Sequence, residues 1–208
     1  MQNVVPVEER LADATLAERR GHYAAEVRRL IDAAFEVMRS TGDIDPPVRD
    51  IVKAAGLSNQ AFYRHFASKD ALLLAVLADG QRQLVDYLRA RVDAAPAADP
   101  EARVRRWIEG VLAQARNPAA AEATRPFALN GARLADRHPD DLAASRAELL
   151  TTLAPSVRAL GGTDQDAQFV CELALARMND AIAHRRRPQP QEVQRLVAFS
   201  LAGVANGT

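Results

Sequence analysis

Apolar residues recur every three or four positions along nearly the whole chain, and no segment shows the β-branched alternation of a strand. Helices patterned in this way bury one stripe each by packing on one another, so the expected fold class is all-α. About nine helices are predicted. The first spans about 17–40, with Leu30, Ile31, Ala34, Phe35 and Met38 facing inward, and Gly42 stops it. Asp45-Pro46-Pro47 opens a short helix to about 54, with Asp45 as the N-cap and proline suiting the first turn. Gly56 ends that helix, Ser58 caps a third at 59–66, and Ser68 caps a longer fourth at about 69–92. After the Ala-Pro-Ala-Ala-Asp-Pro punctuation at 95–100, five more helices are expected at about 101–116, 119–137, 140–160, 164–185 and 191–204. Pro126 and Pro155 fall inside two of these and should kink or split them. The predicted division is an N-terminal leader at 1–16, a three-helix head at 17–67 and a body at 68–208 that begins with the long connecting helix.

Composition narrows the function. The 208 residues carry 27 basic and 27 acidic side chains, so no global field draws the molecule to nucleic acid. Residues 10–69 hold ten Lys or Arg against eight Asp or Glu, too small a surplus to argue from. Any DNA-binding reading must therefore rest on a motif. Cys171 is the only cysteine, which excludes an intrachain disulfide and a cysteine-based metal cluster, and its apolar neighbours suggest an inert buried thiol. His22, His65, His138 and His184 lack metal-ligand spacing, and neither a phosphate loop nor a Gly-x-Ser-x-Gly elbow is present. No cofactor, metal or enzymatic activity is expected. The first ten residues lack an apolar export core, and no stretch approaches about 18 uninterrupted apolar residues. A cytoplasmic protein with no membrane partner is the expectation.

The informative run is VRDIVKAAGLSNQAFYRHFASKDALLL, residues 48–74. Two short helices with glycine in the turn describe a helix-turn-helix. Ile51, Ala55, Leu57 and Phe62 supply its small core, and Gly56 suits a turn of positive φ. The second helix then offers Asn59, Gln60, Ala61, Tyr63, Arg64 and His65, residues suited to base edges and phosphates.

Gly56-Leu57-Ser58, Phe62-Tyr63-Arg64-His65-Phe66, Ser68-Lys69 and Leu72 together resemble the signature of the TetR family of transcriptional regulators. Val48-Arg49-Asp50-Ile51, Ile31-Asp32-Ala33-Ala34-Phe35 and Gly42 fit the same pattern, over roughly residues 28–77. The chain departs from that pattern at Pro47, where the family often has Ser or Thr, and at Val52, where it often has Ala. Pro47 removes a hydroxyl that caps the helix and touches phosphate, leaving the cap to Asp45. The resemblance implies a dimer that grips double-stranded operator DNA. It puts Arg49 and Ser58 at the DNA, turns Asn59, Gln60 and Ala61 to the major groove, and makes Tyr63 and His65 a backbone clamp. Arg64 would serve either base or phosphate, and Lys69 a phosphate. For His65 a plain surface role stays open, as does a core role for Tyr63. Phe66 reads as core. Arg19 and Arg20 are either a minor-groove arm or a solvated helix start, and Arg185-Arg186-Arg187 reads as a solvated helix end.

For the body the resemblance implies a homodimer formed through the last two helices and a small-molecule effector within the helices. Dimer candidates are Phe169, Leu173, Ala176, Ile182, Val193, Leu196, Val197, Phe199, Ser200 and Leu201, with small residues such as Ala174 and Gly203 allowing close approach. Pocket candidates are Trp107, Phe127, Asn130, Arg133, Leu134, Met178 and Asn179, each of which reads equally as core. The implied mechanism is a ligand that tilts or stiffens the fourth helix and so releases DNA. Two alternatives stand beside it: a DNA-binding regulator with no small ligand, controlled by a partner protein or by abundance, and an enzyme on a helical scaffold. Activation in place of repression is open as well.

Overall fold

The computed structural model describes residues 7–206, and the side chains of 13 and 15–205. Among the described residues there are ten helices and no strand: α1 (Val7–Thr41), α2 (Val48–Ala55), α3 (Asn59–His65), α4 (Lys69–Asp93), α5 (Pro100–Arg116), α6 (Pro118–Leu129), α7 (Gly131–Arg137), α8 (Pro139–Ala159), α9 (Asp164–Ala183) and α10 (Pro190–Asn206). None of them is long and apolar enough to cross a membrane.

Two expectations about elements change. Residues 7–16 extend α1 and do not form a leader, because the run from Val7 to Arg20 contains neither glycine nor proline and opens with Glu8 and Glu9, which favour a helix N-terminus. Arg19 and Arg20 are accordingly exposed residues inside a helix and not an extended arm. The helix expected at 119–137 is two. Pro126 is held within α6, and four residues on, Asn130 donates both its backbone N–H (3.2 Å) and its side-chain amide (2.8 Å) to the Pro126 carbonyl. That carbonyl is thereby saturated, and α7 starts afresh at Gly131. Pro155 sits inside an unbroken α8.

The chain forms two compact units. The smaller takes in residues up to Val37 together with Asp45–Val76; the larger takes Met38–Ile44 and everything from Leu77 on. The division thus falls within α4, several residues beyond the expected boundary at 67. In the small unit Leu30, Ala34, Ile51, Val52, Ala55, Phe62, Phe66, Leu72, Leu73 and Val76 are buried. The α2–α3 turn is a Schellman motif. Gly56 takes φ 62° and ψ 38°, the Gly56 N–H bonds Lys53 O at 3.2 Å, and the Leu57 N–H bonds Val52 O at 2.9 Å. A Cβ at that φ costs about 1–2 kcal/mol, which is why glycine holds the turn.

In the larger unit α5 is the hub and packs against α6, α8, α9 and α10. Val104, Trp107, Ile108, Val111, Leu112 and Ala115 are buried at helical spacing, so this helix is apolar around much of its girth. The Trp107 indole N–H donates to the Thr152 hydroxyl at 2.8 Å, which donates on to Leu149 O at 2.7 Å, leaving no donor of the pair unmet. Arg125 on α6 donates to Ile182 O (3.0 Å) and Ala183 O (2.5 Å), tying down the end of α9. Thr163 and Asp166 form a capping box at its start.

Gly162 marks the tightest approach in this unit. A Cβ there would lie 2.7 Å from Val204 Cγ1 and 2.8 Å from Val157 Cγ1, both on stiff, buried side chains. Gly162→Ala should therefore destabilise the protein by about 1–3 kcal/mol in urea unfolding. An alanine variant as stable as the parent would show that α10 has room to move off α8.

Candidate nucleic-acid interface

The direction of every α3 side chain follows from Phe62, which is fully buried. At about 100° per residue, Gln60 and Arg64 lie on the opposite side, Asn59 and Tyr63 on one flank, and Ala61 and His65 on the other. The structure obeys this geometry: Asn59, Gln60, Tyr63 and Arg64 are exposed, Tyr63 to 61%. Ser58 caps the helix, its Oγ accepting the Ala61 N–H at 3.1 Å. Arg49 on α2 is also open to solvent and pairs with its neighbour Asp50, at 3.3 Å. The result is a short rod with an apolar back and an outward row of amide, phenol and guanidinium groups.

Three sequence expectations are corrected here. Ala61 is buried, so its methyl packs inward and is not offered to a base. The His65 imidazole is wholly buried and belongs to the α1–α3 contact, not to a backbone clamp. Asp45 does not cap α2, whose N-cap is Pro47 without any side-chain bond. Asp45 instead pairs with Lys69, Oδ1 to Nζ at 2.6 Å, and Lys69 also reaches Asp45 O and Pro46 O at 3.5 Å. Lys69 is thus a strut across the start of α4.

What holds the rod was missed in the sequence. Glu26 on α1 receives hydrogen bonds from both neighbours at the end of α3: Arg64 Nη2, and His65 Nε2 at 2.6 Å. A carboxylate carries no hydrogen to give, so Nε2 is the donor, and Nδ1, which has no partner, is left as the ring's second nitrogen. The Tyr23 ring meets His65 edge-on at 4.4 Å. Arg29 donates to Ala55 O at 2.5 Å and Gly56 O at 3.0 Å, clamping the turn itself. The signal was present: Tyr23, Glu26, Leu30 and Ala33 share one helical face, and a carboxylate on an apolar stripe calls for a buried partner.

The body candidates do not converge. Trp107, Leu134 and Met178 are closed inside the core and Phe127 is half-buried, whereas Asn130 caps α6 and Asn179 faces outward. Arg133 is half-exposed and lies 3.9 Å from Asp43. The dimer candidates divide likewise. Ile182, Val193, Val197 and Ser200 are buried within their own chain, as is Ala174, and none of them is available to a partner. Leu173, Leu196 and Leu201 are partly buried, Ala176 and Gly203 are exposed, and Phe169 and Phe199 stand 58% and 70% open. Burial pushes the Cys171 thiol up to about 11, so it is protonated and inert near neutrality.

Residues 30–76 match the family model described as bacterial regulatory proteins, tetR family. This stretch of the chain is thus similar to the TetR family. Among curated proteins it is 35% identical over 83 residues to the HTH-type transcriptional regulator BetI of Cronobacter sakazakii, covering 40% of this chain and 41% of that protein. With BetI of Escherichia coli it shares 32% over 83 residues, 40% of this chain and 43% of the relative. The match therefore spans less than half the length of these relatives, all of them regulators and not enzymes. A transcriptional regulator from Rhodococcus sp. Rha1 superposes with TM-score 0.62 at 25% identity, over 87% of this chain and 96% of that one. Salmonella enterica GusR superposes at TM-score 0.65 and 19% identity, over 86% and 95%, which speaks for the fold alone.

Within this head the carboxyl of Glu26 is held below its ordinary value of 4.5, first by the His65 hydrogen bond and then by that of Arg64. A depressed carboxylate pKa stabilises the folded state above the unfolded value, and the stabilisation disappears as pH falls through the folded one. The gap in melting temperature between the parent and Glu26→Gln should accordingly be full above about pH 4.5 and close in more acid solution. A gap that stays constant down to about pH 3 would mean that the charge of Glu26 plays no part.

Proposed function

We propose that the chain is a transcriptional repressor that binds a near-palindromic operator as a homodimer and leaves it when a small, largely apolar molecule binds the body. The observation that carries this reading is the row Asn59, Gln60, Tyr63 and Arg64 on a capped, apolar-backed rod. Amide side chains there suit adenine edges, and the phenol and guanidinium suit phosphate. A single helix reads only a few base pairs, so specificity calls for two, about 34 Å apart in successive major grooves. The exposed Phe169, Ala176, Phe199 and Gly203 on the last two helices support that pairing, since apolar side chains this open gain by being covered. Ala176 and Gly203 share helical faces with Phe169 and Phe199 respectively, and their small size permits close approach. Because α4 carries residues of both units, a ligand that displaces its later turns has a covalent route to the head. Such coupling is reciprocal: operator DNA weakens the ligand by the factor that the ligand weakens DNA. A chromosome-binding regulator of this kind works in the cytoplasm.

A second reading, a regulator without a small ligand and governed by a partner protein or by abundance, draws on one observation. Trp107, Leu134 and Met178, the apolar pocket candidates, are packed away, and the polar ones point elsewhere.

Selection of bound duplexes from a random pool should return a palindrome. Asn59→Ala or Gln60→Ala should change the preferred base at one symmetric position, costing about 1–3 kcal/mol on the parent site. Recovery of no sequence preference would sink the regulator reading. Phe169→Asp with Phe199→Asp should shift the protein to a monomer in sedimentation and abolish tight operator binding, while the chain stays helical. A double variant that still sediments as a dimer would place the interface elsewhere.

A further inference from the structure

We propose that Glu26 holds Arg64 in reserve: in the free protein the two side chains form a neutral pair beside the reading face, and a DNA phosphate draws the Arg64 guanidinium away while His65 stays on the carboxylate. The inference rests on the DNA-binding reading and adds a control on it.

The geometry separates an anchor from a cover. Glu26 is 12% exposed and His65 not at all, so their contact is part of the head's interior. Arg64 is 55% exposed and adjoins the same oxygen, Oε2, from the solvent side. Arg64 also lies on the outward side of α3, directly opposite Phe62, where a bound duplex would pass. Its guanidinium has five N–H donors in a planar fork that matches phosphate as well as carboxylate. Its contact with Glu26 through Nη2 leaves most of that fork facing water. The groups facing Glu26 are His22 on its own helix, 3.9 Å from Oε1, and Arg64 and His65 on α3, with the Tyr23 ring against the imidazole. Removal of Arg64 to a phosphate therefore leaves the carboxylate still bonded to His65 and still partly solvated, not stranded.

The consequence is a cost on phosphate binding. Phosphate contacts supply most of the affinity for random sequence and carry no base information. A carboxylate that competes for a cation on the reading face lowers the affinity of every complex in which Arg64 leaves it, matched or not, and so acts on raw affinity and not on discrimination.

The test is a double-mutant cycle on the full chain, with the duplex returned by selection and a scrambled duplex of equal length, each titrated across a range of salt. Arg64→Ala should weaken both duplexes and flatten the slope of log affinity on log salt by about 0.9, the loss of one phosphate contact. Glu26→Gln keeps an oxygen for His65 while releasing Arg64. It should tighten both duplexes, the operator at least as much as the scrambled one, because the cost of breaking the pair is removed from each. In an Arg64→Ala background the same Glu26→Gln change should lose that effect. An equal gain with and without Arg64 would mean that only a negative charge has been deleted, and would overturn the inference. Weaker binding of Glu26→Gln to both duplexes, with melting unchanged, would overturn it too, since Glu26 would then only position the rod. If Glu26→Gln fails to fold, Arg64→Ala alone decides, because an unchanged salt slope means that Arg64 never leaves Glu26. A parent protein that binds no duplex takes the DNA-binding reading down with it, whereas sequence-selective binding with a negative cycle removes this inference alone.

Discussion

Helix α3 has seven residues, too few to be stable alone, so its existence depends on what lies behind and beneath it. Phe62 supplies the apolar anchor, and the left-handed turn at Gly56 supplies the angle. Arg29 bonds the carbonyls on either side of that angle, closing two acceptors that the end of α2 leaves open. Glu26 fixes the far end through His65. With both ends and the back determined, the outward row has no freedom of direction, and that is what reading a base edge requires.

The larger unit solves a different problem. Its hub, α5, is apolar around much of its circumference and must be surrounded, so α6, α8, α9 and α10 enclose it. The helix ends are then closed by side chains at some distance in sequence, Arg125 on the end of α9 and Asn130 on the Pro126 carbonyl among them. What the enclosure leaves over includes Phe169 and Phe199, each open to solvent in a single chain. The same α9 and α10 thus contribute to an interior through Ile182, Val193, Val197 and Ser200 and to a surface through the two phenylalanines. A list of apolar positions on those helices mixes the two sets.

Much of the architecture was legible because it rests on local physics. Turn glycines, Ser58 and Ser68 as caps, and three- or four-residue spacing placed most helices within a few residues, and the spacing of Gly56, Ser58 and Phe62 located the motif. Errors gathered where a local rule met a distant partner. Asp45 reads as a cap until Lys69 claims it, and His65 reads as a DNA ligand until Glu26, thirty-nine residues earlier, takes its proton donor. Pro126 lies inside α6, and the break comes four residues on at Asn130, whose backbone and side-chain N–H groups both bond the Pro126 carbonyl.

The amino-acid sequence by itself determined the all-helical class, the helix-turn-helix and a set of candidate recognition residues, because periodicity, caps and turn conformations act within a few residues of chain. Tertiary structure alone decided which of those residues face outward, removing Ala61 and His65 and leaving Asn59, Gln60, Tyr63 and Arg64. It also decided which apolar side chains of α9 and α10 are spent on the core. Both decisions follow from burial, which is a property of neighbours that folding brings together and that no short window of sequence contains.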